Sequence, residues 1–420
     1  MGKAILTLFL FFHLSISLGQ NTNPFIRGRA FIKEKNFFSA KACYISERQK
    51  MSLREELILQ ACLNNAFNQP SQSNKAISSL FKHYSNSIPD TLNLEMLRLQ
   101  QSNFARMYDY AKAYNVGKVI LLKHSKILSS EESKDITNTL KIWKALQACP
   151  RQKVEIKNAL KINLKRDVAK LANITINSNG RFVDFIFDTG ANFSTVTEST
   201  ANTLKMKYLD EVIQVGSITG AEVSAHLAIC PLFKMGGVNV ENAVFLVFPD
   251  SALAFPQIKY QINGIIGFPV IEALKEIQIT RNDELLIPKK RISIETPNLA
   301  LDFLTPIYSL GEEYYTFDTG AVKTMLYSKY YNDYKRDITA SNTQVPITFG
   351  GAGGMRKYAG YIINFQPKIP DKFIDMKNIE VISEPFNDQK DNYFGNIGQD
   401  FIKQFDKMTL NFESMFLIFE

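Results

Sequence analysis

Cysteine, histidine and tryptophan are all scarce in this chain of 420 residues, at four, four and one. Four cysteines are too few for a disulfide-dense scaffold, and no Cys-x-x-Cys pair suggests a structural zinc. Four histidines (13, 83, 124 and 226) argue against a histidine-rich site, so no metal and no cofactor is expected. His226 has no cysteine or carboxylate pattern around it and reads as structural. The single tryptophan, Trp143, lies in a helical pattern and reads as core. What remains is ordinary for a folded protein: 45% hydrophobic, 12% aromatic and 21% charged. A disordered or collagen-like chain is thereby excluded, and the length suggests two or three domains.

Only the start of the chain approaches the length of a membrane span. Lys3, the apolar run Ala4 to Leu14 and the small residues around Ser17-Leu18-Gly19 read as a signal peptide over 1–19. The run is shorter than the ~20 residues a spanning helix needs, and no basic stop-transfer cluster follows. The mature protein is therefore expected to be exported, periplasmic or secreted, with no stable membrane insertion after cleavage. No cysteine follows the cut site to carry a lipid. Cys43, Cys62, Cys149 and Cys230 would then meet a disulfide-permissive compartment. Three full pairings are open, and Cys43 with Cys62, close in sequence, is the expected pair.

Charge and periodicity divide the chain. Residues 20–150 carry 19 Lys and Arg against 10 Asp and Glu, whereas residues 151–420 carry 29 against 31. In the basic part, Met51 to Phe67, Leu92 to Leu122 and Glu131 to Cys149 place apolar residues at helical spacing. Phe67 and Ala76 map onto Phe104 and Ala113 at a shift of 37, near the period of tetratricopeptide-like helix pairs. A helical, repeat-like domain over 20–150 is expected, with a plain helical bundle as the simpler reading. Its charges are spread through the helices, not clustered with aromatics for stacking, and export removes the usual partner, so no nucleic acid is expected. A protein partner through this region, or a role in solubility alone, fits better.

Beyond about Arg151 the texture becomes β-rich. Phe182 to Phe187, Val244 to Phe248 and Phe416 to Phe419 are β-branched and aromatic runs set between turn residues. This half is written twice. Phe187-Asp188-Thr189-Gly190-Ala191 recurs 130 residues later as Phe317-Asp318-Thr319-Gly320-Ala321. Ile265-Ile266-Gly267 recurs as Asn396-Ile397-Gly398 at a shift of 131, and hydrophobic type is kept downstream at Ile271 and Ile402, Leu274 and Phe405, Ile277 and Met408, Ile279 and Leu410. A lone Asp-Thr-Gly is a plausible turn. Two copies, each after a strand and each followed at matched distance by the second landmark, are a specific signal.

Two copies of one β unit can pack about a pseudo-two-fold axis, where equivalent residues meet. Asp188 and Asp318 would then face each other. Two carboxylates about 3 Å apart cannot both ionise and hold one proton between them. The ionised partner can take a proton from water while the protonated one polarises a carbonyl. Gly190 and Gly320 leave room for backbone near the acids. Thr189 and Thr319 can each offer a hydroxyl to the opposite loop.

Over about 170–420 the sequence resembles the aspartic protease family. The two Asp-Thr-Gly loops are similar to its catalytic loops, and Ile265-Ile266-Gly267 and Asn396-Ile397-Gly398 are similar to its hydrophobic-hydrophobic-Gly elements. The resemblance implies a mainly β bilobal aspartic protease fold, with two pseudo-two-fold related β lobes over 151–292 and 293–420, preceded by an α-helical region. Both loops in one chain look pepsin-like. Ala191 and Ala321 after the glycines, and the short lobes, look retropepsin-like, and tandem retropepsin-like chains with a signal peptide and a helical front end resemble exported bacterial proteins. The missing hydroxyl after each glycine is expected to raise the dyad's apparent pKa values and move the optimum to mildly acidic or neutral pH. Flap candidates are Gly216-Ser217-Ile218-Thr219-Gly220 in the first copy and Gly350, Gly351, Gly353 and Gly354 in the second. The second glycine run lacks the Lys-Ser or Lys-Thr of a phosphate cradle. Asn173-Ile174-Thr175 and Asn192-Phe193-Ser194 match the glycosylation sequon. A glycan at Asn192 would block the cleft, which argues against a glycosylating host.

The resemblance implies an aspartic endopeptidase acting on peptide or protein substrates through Asp188 and Asp318. The alternative is a non-catalytic binding or scaffold protein that keeps an inactive protease fold and works through its helical region. A two-carboxylate glycosidase would want a wider acid spacing in a Trp- and Tyr-lined cleft.

Overall fold

The structure is a computed structural model, described for residues 23–216, 222–351, 354–369, 372–386 and 389–420. Among these residues no helix is long and apolar enough to cross a membrane. The signal-peptide reading of 1–19 and the flap positions Ser217, Ile218, Thr219, Gly220 and Gly353 lie outside them.

Seven helices open the described chain: α1 (Pro24–Lys33), α2 (Phe37–Glu47), α3 (Leu53–Ala66), α4 (Pro70–Tyr84), α5 (Asp90–Arg106), α6 (Tyr110–His124) and α7 (Ser130–Leu146). Local signals set their starts. Ser52 and Glu55 form a capping box on α3, and Ser129 and Glu132 form another on α7. Pro24 and Pro70 sit in the first turn, where a missing N–H costs nothing. The turns between α1 and α2, α3 and α4, and α5 and α6 each carry one left-handed residue: Lys35, Asn68 and Tyr108. Leu92 to Leu122 is thus two helices, broken at Met107-Tyr108-Asp109. Ala76 and Ala113, the pair at the 37-residue shift, are both buried, in α4 and α6.

The remaining chain is largely β and repeats its own topology. In the first half the strands are β1 (Ala172–Ser178), β2 (Arg181–Phe187), β3 (Ser194–Thr197), β4 (Lys207–Gly216), β5 (Glu222–Met235), β6 (Val238–Phe248) and β7 (Gly264–Ile266). In the second half β8 (Leu299–Asp302) precedes β9 (Thr305–Leu310), β10 (Glu313–Phe317), β11 (Met325–Leu326), β12 (Val345–Gly351), β13 (Gly354–Phe365), β14 (Met376–Ile382) and β15 (Gly395–Ile397). Strand β2 runs parallel to β7, and β10 parallel to β15. Strand β3 is antiparallel to β7 and parallel to β6, just as β11 is antiparallel to β15 and parallel to β14. The last three residues of β2, Phe185 to Phe187, and of β10, Tyr315 to Phe317, are buried on both faces where the strands enter the core.

A third sheet joins the halves. Glu276–Thr280 pairs antiparallel with Lys407–Asn411, and Gln278 stands opposite Thr409, its own equivalent at the 131-residue shift. The local two-fold axis therefore passes between these two residues. Glu284–Ile287 and Phe416–Phe419 flank the pair.

The helical region packs on both halves. Phe38 stacks on Tyr314 with ring centroids 5.5 Å apart, and Lys35 pairs with the buried Asp302 at 2.8 Å. Asn68 donates to the carbonyl of Phe412 at 2.8 Å and to Glu272 at 3.0 Å. On the first half, Tyr110, Trp143 and Leu146 share one apolar cluster with Ile213, Ala225, Leu227 and Phe248. Trp143 is core, as expected from its helical setting.

All four cysteines are free thiols. This corrects the expected Cys43–Cys62 bridge. The two sulfurs face different partners: Cys43 lies 3.5 Å from the carbonyl of Pro24, and Cys62 points at Arg29 and Glu95. Closeness in sequence does not place two helical side chains on facing surfaces.

Candidate active site

Each Asp-Thr-Gly loop begins where a buried strand ends beside a parallel neighbour. The N–H of Asp188 donates to the carbonyl of Ile266, and that of Asp318 to the carbonyl of Ile397, both at 3.0 Å. The loops are held from behind in the same way. The amides of Phe268 and Gln399 donate to the carbonyls of Ala191 and Ala321, at 2.8 and 2.9 Å. Gly267 and Gly398 permit this approach: a β-carbon on either would stand 2.6 Å from the backbone of Phe193 or Lys323. Their own N–H groups donate to the hydroxyls of Ser194 and Thr324, each at 3.1 Å.

The two loops meet at their threonines. The Thr189 N–H donates to Thr319 Oγ1 at 3.0 Å, and the Thr319 hydroxyl donates to the Phe187 carbonyl at 2.9 Å. Reciprocally, the Thr319 N–H donates to Thr189 Oγ1 at 3.0 Å, and the Thr189 hydroxyl donates to the Phe317 carbonyl at 3.3 Å. Both threonines are buried. Four hydrogen bonds thus cross the axis with every donor and acceptor used.

This grip fixes the acids. The carboxyl groups of Asp188 and Asp318 are hydrogen-bonded to one another. A β-carbon on Gly190 would stand 2.6 Å from Asp318 Cγ, and one on Gly320 would fall on the Asp188 carboxyl itself. Each glycine therefore gives its space to the opposite acid. Asp188 Oδ1 accepts from the amides of Gly190 and Ala191, at 2.7 and 3.1 Å. Asp318 Oδ1 accepts from Gly320 at 2.7 Å. Burial, and next the charge and hydrogen bond of Asp318, hold the Asp188 carboxyl well above the usual carboxylate range, against the opposite pull of its two amide donors. Two carboxyl groups held this close favour sharing one proton, which is the equipment for simultaneous acid and base chemistry.

The structure brings together Asp188, Thr189, Gly190 and Ala191 with Asp318, Thr319, Gly320 and Ala321, over Ile265, Ile266, Gly267, Ile397 and Gly398. Of the flap candidates, Gly216 ends β4, and Gly350, Gly351 and Gly354 lie where β12 turns into β13. Three supporting residues escaped the sequence reading. Ser194 and Thr324 lie at the 130-residue shift, so carrying the comparison three residues past the alanines finds them. Gln399 donates to the Thr319 carbonyl at 2.6 Å; its first-half equivalent is Phe268, so the repeat gives no signal for it. Asn173 of the first sequon is buried and bonded to Asp167 at 2.7 Å, which closes it to a glycan in the folded protein.

Residues 172–270 match the family model described as aspartyl protease. The chain thus carries an aspartyl-protease-like domain, and its architecture is a helical region followed by an aspartic-protease-like β fold. Among solved structures, basic 7S globulin from soybean aligns with 63% of this chain and 94% of its own, at 12% identity and TM-score 0.37. A retropepsin-like aspartic protease from Rickettsia conorii aligns with 32% of this chain and 90% of its own, at 19% identity and TM-score 0.21. A search of curated proteins finds no match.

Proposed function

We propose that this protein is an exported aspartic endopeptidase whose Asp188 and Asp318 jointly activate a water molecule against a peptide bond. The observation that carries the reading is the reciprocal threonine grip, which holds two hydrogen-bonded carboxyl groups at the meeting of the repeated halves. The ionised carboxylate takes a proton from water as its oxygen attacks the carbonyl carbon. The protonated partner donates to the carbonyl oxygen. Return of a proton to the nitrogen breaks the C–N bond and releases acid and amine, and the dyad ends with the one proton it began with. The substrate is an extended peptide lying across both halves, paired with strand edges by main-chain hydrogen bonds. The stacked helix pairs add a surface for recruiting a protein substrate or partner.

The test is peptide-library digestion by the purified protein. Wild type should cleave, and Asp188→Asn and Asp318→Asn should each lose about 10³-fold or more in kcat. Equal inertness of wild type and both variants would favour the scaffold reading. Fractionation of the native host should find the mature chain outside the cytoplasm, with its first 19 residues removed.

A further inference from the structure

Strand β4 is the edge of the first-half sheet, and an edge strand leaves backbone N–H and C=O groups without a ladder partner. Here one side chain takes that role. Asn138 on α7 donates through Nδ2 to the Gln214 carbonyl at 2.6 Å, and Gln214 N–H donates to Asn138 Oδ1 at 3.0 Å. A carboxamide making both bonds to one residue reproduces the double exchange of an antiparallel strand pair. Flanking contacts point the same way. Lys134 pairs with Glu222 at 2.7 Å on one side of Asn138, and Lys144 with Glu211 at 2.7 Å on the other. Beneath them Ile213, Val215, Val223 and Ala225 lay one face of the β4–β5 hairpin on the cluster containing Trp143. Trp143 also touches Phe193, five residues beyond Asp188, with ring centroids 6.3 Å apart. One helix thus holds both the hairpin and the end of a catalytic loop. The equivalent hairpin β12–β13 takes aromatic contacts from its own half, Tyr361 on Tyr331 and Tyr358 on Phe386.

We propose that α7 is a fixed rest for hairpin β4–β5 and that Asn138 is a positioning residue, setting where this substrate-facing arm stands relative to the dyad. The helical region then belongs to the peptidase itself: one arm is held by α7, and the other takes aromatic contacts from its own half. This inference rests on the peptidase reading for its catalytic consequence, but the clamp can be measured without turnover.

The experiment pairs hydrogen exchange with steady-state kinetics on Asn138→Ala in the full chain. Asn138 is only half-buried, and its loss opens no core. Exchange should accelerate about tenfold in the described parts of 207–229, from loss of two hydrogen bonds, and stay unchanged in α3 and α4. With a peptide substrate, KM should rise about three- to tenfold while kcat stays within about twofold, because binding geometry and not the acid pair is disturbed. Unchanged exchange in the hairpin overturns the clamp. Faster exchange with unmoved KM overturns the positioning role and leaves Asn138 as an edge cover. Faster exchange in the variant, with neither it nor wild type cleaving any peptide, supports the clamp and overturns the peptidase reading instead.

Discussion

Replacing Thr319 with valine tests the grip that the whole site depends on. Valine keeps the β-branched shape and removes only the hydroxyl. Two buried groups then lose their partners: the Thr189 N–H, at 3.0 Å, and the Phe187 carbonyl, at 2.9 Å. An orphaned buried group costs about 1–3 kcal/mol, so the pair sets a range of about 2–6 kcal/mol, and small loop shifts should bring the loss to about 3 kcal/mol. Thr189→Val should cost slightly less, about 2 kcal/mol, because its donated bond to Phe317 is the longer one at 3.3 Å. The two bonds of the Thr319 hydroxyl share no atom with the two of the Thr189 hydroxyl, but all four hold the same two loops, so the double variant should lose less than the sum. The molecule supplies its own probe. Its single tryptophan, Trp143, packs near Phe193 beside the first Asp-Thr-Gly loop. Urea unfolding followed by that fluorescence should show a midpoint lowered by about 1 M for Thr319→Val. Because the grip also sets the dyad spacing, kcat should fall about 100-fold. Two valine variants within about 0.5 kcal/mol of wild type and within about twofold in kcat would refute the reasoning, since buried groups would then be losing partners at no cost.

Other consequences follow from the same geometry. Gly320→Ala puts a methyl group onto the Asp188 carboxyl, so it should abolish turnover as completely as loss of the acid, and Gly190→Ala should do nearly as much; both are read by peptide cleavage in folded protein. The raised Asp188 sets a sign for stability against pH. Between the ordinary carboxylate value, about 4, and the raised folded value, the folded protein holds a proton that the unfolded chain has released, so this contribution is complete at low pH and is lost as pH rises through the folded value. Asp188→Asn should remove that slope and leave the protein more stable than wild type at neutral pH, as denaturant curves across the range will show. The same elevation predicts a cleavage optimum at mildly acidic to neutral pH; an optimum at about pH 2 would contradict it. Among the cysteines, burial pushes the Cys62 thiol up to about 12, and Cys43 and Cys230 are also buried. Alkylation of native protein should therefore reach Cys149 first, and non-reducing mass analysis should find no internal bridge.

What could be read in the sequence is what the duplication duplicates. Asp188 and Asp318, their threonines and glycines, and the Ile-Gly landmarks announce themselves because each appears twice at one shift, and symmetry carries paired residues to the axis. The β-branched and aromatic run Phe182 to Phe187 gives β2 by composition, and its last three residues are all buried. What the repeat does not contain stayed hidden. Helix Ser328–Ser341 interrupts a stretch that reads as strands, and it buries only Ser328, Tyr331 and Ile338. The Asn138–Gln214 clamp joins residues 76 apart across two architectures, and an asparagine in a helix has many plainer uses. The absent disulfide has a related cause: sequence distance says nothing about which way Cys43 and Cys62 face once their helices pack.

The departures from symmetry carry as much of the argument as the symmetry does. Duplication alone yields two equal acids, whereas the proposed reaction needs one to give a proton while the other takes one. The surroundings of the two differ in small, nameable ways. Asp188 Oδ1 receives two amides, from Gly190 and Ala191. In the second loop the Ala321 amide turns instead to the main-chain oxygen of Asp318, at 3.3 Å, and Oδ1 keeps the Gly320 amide. Behind that loop Gln399 donates to the Thr319 carbonyl, and the equivalent position in the first half is Phe268, which cannot make that bond through its side chain. The helical region deepens the difference by resting on the β4–β5 hairpin of the first half through Asn138. In the proposed reaction a proton shared by the pair would sit between two sites of unequal support, so its position would be biased before any substrate arrives. Exchanging Phe268 and Gln399 between the halves would remove one of these differences while leaving the Asp-Thr-Gly loops intact. If unequal support sets the roles of the acids, that double variant should shift the pH–rate profile and leave substrate affinity near wild type; an unmoved profile would mean that the grip alone suffices and the remaining asymmetry is incidental.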